Sequence, residues 1–335
     1  MIDFEKRLKS LKDRRQGSRE RALFASMSEQ AANIAVLSGR DVRKYEAFET
    51  LQESAGVRYA IGAMAAVDNQ STNVSIAEGN RVADSVVKTL NRQGESVESC
   101  MQGSVALDIH IKGHSDVDML IVVTNPINYE TPSIPANGYS PATDPRSLIN
   151  IARDVRTKSE AILPVNFPKA EIDTSNNKSI EVKGGSLQRK VDIVPAIWYH
   201  SRGYQQSRLE HEKGIKIYHK QDHQFILNYP FIHIYNVNQK DTLYSGNLKC
   251  VIRLMKNMIA DMPDYKKRVA KKLTSFDLAA IGYHMNNELQ VPTYMRLGLV
   301  EKTRSHLAFL LASKAYRDTL SVPDGTRKIF DDEKR

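Results

Sequence analysis

Two aspartates stand two residues apart in "GHSDVDMLIVV", at the mouth of an apolar run from Met119 to Val123. On an extended strand residues i and i+2 face the same way, so Asp116 and Asp118 project their carboxylates side by side. Two like charges about 4 Å apart repel by roughly 4 kcal/mol at an effective dielectric of about 20. A divalent cation between them removes that cost. Alone, a D-x-D is commonplace and usually marks a solvated turn. A third carboxylate, Asp192, lies in "KVDIVPA" between Val191 and Ile193, where an unpaired charge is costly. If its strand pairs with 117–123, three carboxylates meet at one edge of a sheet. Such a set suits two Mg²⁺ ions about 3.5–4 Å apart, with Mn²⁺ able to substitute, the clamp used for in-line phosphoryl displacement. The other reading of Asp192 is a buried carboxylate satisfied by a neighbouring Lys or Arg.

A phosphate contact precedes the pair. Gly103 lets the backbone approach a polyphosphate closely, and the Ser104 hydroxyl and amide can hold its terminal oxygens. By itself Gly-Ser is only a turn; the downstream aspartates give it meaning.

The elements that must carry these groups are legible in outline. Val82, Val86, Val87 and Leu90 recur at helical spacing, with a break near Gly94. "SVESCMQGS" alternates as a short strand, and 117–123 is a second. Prolines at 126, 132, 135, 141 and 145 then imply a loop. A helix follows with Leu148, Ile151, Ala152, Val155 and Ile162 on one side. "KSIEVKGGSLQRKVDIVPAIW" reads as two strands around Gly184-Gly185, a hairpin ending at Pro195. "NLKCVIRLMKNMIADM" is amphipathic, Thr274 and Asp277 form a capping box, and "YMRLGLVEKTRSHLAFLLASKAY" is the last long helix. The fold class is α+β. The expected divisions are an N-terminal helical arm over 1–75, a core over 76–225, a helical lobe over 226–322 and a frayed tail over 323–335.

Composition narrows the setting. The chain has 335 residues, a net charge of +9 and two cysteines, Cys100 and Cys250. So few cysteines exclude a disulfide framework and a cysteine-rich zinc site, and fit a reducing cytoplasm. No apolar run approaches a membrane span, and the charged amino terminus has no signal-peptide core. The positive charge suits a polyanionic partner, whether nucleic acid, lipid or nucleoside triphosphate. It gathers in Lys6–Arg21 and Tyr265–Lys272, which read most simply as solvated helix faces.

G-S-x11-D-x-D followed by V-D-h-h-P-A resembles the polymerase-β-type nucleotidyltransferase core. It is most similar to the group of 2′–5′-oligoadenylate synthetases, cyclic GMP–AMP synthase and their bacterial relatives, the CD-NTases. "LKCVIRLMKNM" and "LTSFDLAAIGYH" resemble two helices of that group, and the match covers roughly 80–310. It implies a mixed central sheet flanked by helices and packed against a C-terminal helical lobe. It also implies that Asp116, Asp118 and Asp192 ligate the metals, with Asp192 near the attacking hydroxyl. Gly103 and Ser104 would hold the donor triphosphate, Lys256 would neutralise its β and γ phosphates, and Ser275 would add a second phosphate contact. Phe276 would stack on a base.

Other readings stay open on the residues themselves. Lys256 could be a surface lysine, Ser275 merely the residue after a cap, and Phe276 core. Trp198 and Tyr199 could meet a base but suit packing better, and His110 and His114 read as solvent-facing. The His/Cys zinc insertion of the animal cyclic GMP–AMP synthases has no counterpart here, which argues against a nucleic-acid activator. Asn257-Met258 stands where the synthetases carry an aromatic. Both departures point to a bacterial relative, whose family role is antiphage (CBASS) signalling to a cyclic-nucleotide effector protein. The expected activity is condensation of nucleoside triphosphates into a cyclic di- or trinucleotide. The alternatives are a nucleotidyltransferase acting on an RNA 3′ end and a nucleic-acid-binding module with an inactive core.

Overall fold

Apolar alternation in the middle of the chain and helical periodicity at both ends produce a sheet with helices on it and a helical lobe beside it. The computed structural model describes residues 2–16, 46–113, 115–135 and 138–330. His114, residues 17–21 of the first basic cluster and the last five residues lie outside these. In chain order come α1 (Phe4–Gln16), α2 (Ala55–Met64), α3 (Asn69–Arg92), β1 (Val97–Gln102), α4 (Gly103–Ala106) and β2 (Val117–Tyr129). Then follow α5 (Leu148–Asn166), β3 (Glu171–Asp173), β4 (Ile180–Lys183), β5 (Val191–His200), α6 (Arg202–Ser207), β6 (Gly214–His219) and β7 (Gln224–Asn228). The lobe comprises α7 (Pro230–Leu243), α8 (Asn247–Ala260), α9 (Asp264–Ala270), α10 (Ser275–Tyr283), α11 (Gly298–Ala312) and α12 (Lys314–Arg317).

The seven-stranded sheet runs β1-β2-β5-β4-β3, with β6 and β7 continuing from the far half of β5. Among the described residues only β2 and β5 run parallel, so the sheet is mixed. Period-two alternation sorts β2 onto two faces. Val117, Met119, Ile121 and Val123 pack under α3 and α5 with Val82, Val86, Ile151 and Val155. Leu120 and Val122 join Val194, Ala196, Ile215 and Ile217 on the opposite face. Asp118 and Asp192 share the parity of this second, smaller core.

A third core fills the lobe, and residues from both ends of the chain enter it. Leu8 and Leu11 of α1, Tyr59 and Ala63 of α2, Val251 and Leu254 of α8, and Ile329 all belong to it. Ile329 is fully buried and Ser321 bridges Lys328, so the expected frayed tail is instead packed as far as Phe330. The expected boundaries at 75/76 and 225/226 fall inside α3 and β7.

Two prolines expected to end strands do not. β2 passes through Pro126, where its register with β5 shifts between Val123 and Asn128, so the ladder does not need the missing N–H. β5 passes through Pro195, which falls where its neighbour changes from β4 to β6. The last long helix starts only at Gly298, after a short 3₁₀ turn at Thr293–Met295. Among the described residues no helix is long and apolar enough to cross a membrane.

Candidate active site

Asp118 and Asp192 are direct partners in the parallel β2–β5 register, near the start of each strand. Neighbouring strands lie about 4.8 Å apart, so the two carboxylates are adjacent. Asp116 immediately precedes β2. The antiparallel β1–β2 pair sets Gln102 opposite Asp118, which brings Gly103 and Ser104 to the same end of the sheet. Gly103 has φ +76°, and a Cβ there would stand 2.1 Å from Asp118 Oδ2. Only glycine fits.

These groups open into a cleft of about 610 Å³ between sheet and lobe, lined by Gly103, Ser104, Asp116 and Asp118 on one side. Lys256, Ser275 and Phe276 line the other side. The proposed donor-binding residues therefore face one space with two of the carboxylates, while Asp192 is not part of the lining and stands beside Asp118 on the next strand.

Burial, and then the charges of Asp192 and Asp116, push the Asp118 carboxyl up to about 7. Burial likewise raises Asp192 to about 6, against the opposing pull of Lys190. Asp192 Oδ1 is buried and has no hydrogen-bond partner. An unsatisfied anionic oxygen beside a second carboxylate is a donor set of the kind a hard divalent cation takes. Among the described residues no three such side chains are arranged to hold a metal as they stand. Instead the Lys190 ammonium lies 3.0 Å from Asp116 Oδ2 and 3.9 Å from Asp192 Oδ1. The pairing of Asp192 with a basic neighbour, one of the two sequence readings, is thus present at long range.

On the lobe side, Lys256 is not a surface lysine. It is buried on α8, donates a 2.9 Å hydrogen bond to the Ile109 carbonyl, and burial pushes its ammonium down to about 8. Asp118 partly offsets that shift, which couples the two walls of the cleft. Ser275 is the first residue of α10 and is exposed at the helix N-terminus. Thr274 and Asp277 cap that end as expected, through hydrogen bonds of 2.8 and 3.2 Å. Phe276 is half-buried and its ring stacks on His233 at 4.1 Å, with Arg327 at 5.7 Å from its centre. One face is therefore already covered.

Three cleft residues escaped sequence reasoning. Lys267 and Lys271 line it from α9 and its C-cap, although "YKKRVAKK" suggested only a solvated face. Their i, i+4 spacing was the available signal. His233, on α7, is buried with Nδ1 unpartnered, and burial pushes its imidazole down to about 4. No motif marks it. His110, expected at the surface, is buried with Nε2 3.2 Å from the Thr72 hydroxyl, and burial pushes it down to about 4. Trp198 and Tyr199 do not line the cleft. Trp198 donates to Glu98 at 2.6 Å and packs against Phe231, while Lys216 lies over Tyr199.

Comparison with known proteins agrees with this geometry. Residues 235–335 match the cGAS/DncV-like nucleotidyltransferase C-terminal helical domain. The chain is similar to a cyclic dinucleotide synthase, CdnE, of Yersinia aleksiciae, at 34% identity over 98% of this chain and 86% of that protein. A solved STING-associated CdnE c-di-GMP synthase from Flavobacteriaceae sp. superposes with a TM-score of 0.72 at 25% identity, covering 91% of this chain and 93% of that one. A second such synthase, from Capnocytophaga granulosa, gives 0.69 at 25% identity over 99% and 92%.

Proposed function

The chain belongs to the cGAS/DncV-like nucleotidyltransferases, and on that premise we propose that its cleft condenses nucleoside triphosphates into a cyclic di- or trinucleotide with release of pyrophosphate. The register that sets Asp118 beside Asp192, across one cleft from Lys256, carries this reading. The relatives' names favour a dinucleotide. For a dinucleotide, in each of two steps a hydroxyl gives up its proton, its oxygen bonds the α-phosphorus of a second nucleotide, and the bond to pyrophosphate breaks. The second step closes the ring within one molecule, which effective concentration favours.

Asp116, Asp118 and Asp192 would hold two Mg²⁺ or Mn²⁺ ions, which when bound neutralise charge on the reacting phosphate and activate the attacking hydroxyl. The chain's own groups do the rest. Gly103 keeps its backbone free of a side chain where phosphate must approach, and Ser104 offers a hydroxyl and an amide. Lys256 presents a poorly solvated ammonium to the donor's β and γ phosphates, and Ser275 adds a hydroxyl at the α10 N-terminus. Lys267 and Lys271 extend the positive wall. Phe276 and His233 together form an aromatic face toward a base.

The product would act in the cytoplasm on a cyclic-nucleotide effector protein, in antiphage signalling. Incubation with all four labelled triphosphates and Mg²⁺, without nucleic acid, should give a product whose mass phosphatase leaves unchanged. A product that loses phosphates, or one that needs an added RNA 3′ end, would establish the tailing reaction instead.

A further inference from the structure

A row of polar side chains crosses the sheet at the cleft. Gln102 faces Asp118, Asp118 faces Asp192, and Asp192 faces Glu181 on β4. Glu181 thus adds a fourth carboxylate beside the three already described. Lys190, two residues before Asp192, reaches over this row: its ammonium lies 2.5 Å from Glu181, 3.0 Å from Asp116 and 3.9 Å from Asp192. Lys183 supports Glu181 from its other side at 3.2 Å.

We propose that Lys190 is a built-in counter-cation that holds the carboxylates while they carry no metal, and yields Asp116 to a divalent ion by withdrawing onto Glu181. This rests on the reading of Asp116, Asp118 and Asp192 as metal ligands. An ammonium is a compact charge on a flexible stem, so it can move between acceptors without disturbing the backbone. Its three partners are unequal. Glu181 is the nearest and lies beside Asp192, two strands away from Asp118, whereas Asp116 is the partner a metal would claim. A divalent ion beside a retained ammonium would be repelled, so metal entry and ammonium retreat must go together. The Lys190 side chain is 32% exposed, which leaves it room to swing.

Mn²⁺ binding to the full chain without nucleotide, followed by calorimetry or electron paramagnetic resonance, tests this. Lys190→Met should bind Mn²⁺ several-fold tighter than the unaltered protein, and should melt lower in EDTA with recovery on adding Mn²⁺. Glu181→Gln, which deprives the ammonium of its refuge, should bind Mn²⁺ several-fold more weakly and keeps the test open if Lys190→Met fails to fold. Lys183→Met removes a positive charge that touches Glu181 but is not paired with Asp116, and should change affinity less than twofold. Unchanged or weaker binding by Lys190→Met, or an equal gain in Lys183→Met, overturns the counter-cation. An unaltered protein that binds no Mn²⁺ would overturn the metal reading itself, and this inference with it.

Discussion

A side chain on Gly103 would collide with the Asp118 carboxylate, since its Cβ would stand 2.1 Å from Oδ2. The Gly103 turn and the central carboxylate are therefore fitted to one another. Gly103→Ala should lower kcat/KM at least roughly a hundredfold by displacing Asp118, a loss of about 3 kcal/mol of transition-state stabilisation. Ser104→Ala removes one hydroxyl and should cost far less. Product formation measured beside circular dichroism checks both, and equal, mild losses would separate Gly103 from the carboxylate's placement.

Asp118→Asn and Asp192→Asn should each reduce turnover at least roughly a hundredfold while the protein stays folded, because a metal ligand is worth several kcal/mol. Near-normal turnover in both would end the two-metal assignment.

The same substitutions have a signature in metal-free protein. Asp118 titrates near 3.8 when unperturbed and at about 7 in the fold, so the folded state holds a proton that the unfolded chain has released. Stability contributed by that proton is full below 3.8 and is lost as the pH rises to about 7. In EDTA, Asp118→Asn should therefore melt close to the unaltered protein at acidic pH and above it near pH 8. A gap that does not widen with pH would contradict the half-buried, mutually repelling pair.

Lys256 is buried against the Ile109 carbonyl, so replacing it tests binding and packing together. Lys256→Met preserves the stem and removes a desolvated charge, and should leave the melting temperature level or raised. If the ammonium acts on bound phosphates as proposed, KM for the donor should rise more than kcat falls. An unchanged KM would make Lys256 a structural lysine.

Arg327 pairs with Asp277 at 2.5 Å, and Asp277 completes the cap of the helix that carries Ser275 and Phe276. Arg327→Ala should destabilise the protein by roughly 2 kcal/mol, the usual worth of a hydrogen bond to a charged group. Donor KM should rise as well, because the α10 N-terminus loses its support. Denaturant melts and initial rates read the two effects, and a KM unmoved by the substitution would confine Arg327 to stability.

What was legible followed from local periodicity. The apolar runs 117–123 and 191–195 read as strands, and the Thr274 and Asp277 cap was readable from spacing alone, but the meeting of Asp118 with Asp192 was only a condition on strand pairing. Cross-strand register was not. Glu181 and Lys190 sat in a stretch recognised as a hairpin, yet nothing local says that Glu181 faces Asp192. Pro126 and Pro195 misled because proline reports a missing donor, and whether that donor is needed depends on the neighbouring strand. His110 and Ile329 failed for a related reason: whether such a residue is buried or exposed depends on distant packing partners.

The lobe's core draws on Leu8 and Leu11 at one end of the described chain and Ile329 at the other. On the ribosome that core stays unfinished until residue 329 has emerged, whereas the sheet with α3 and α5 has all its partners by β7. Carboxylates and glycine turn are thus in place on a nascent chain that still lacks the wall bearing Lys256 and Ser275. The two-walled cleft is therefore completed only when the lobe packs against a sheet that is already formed.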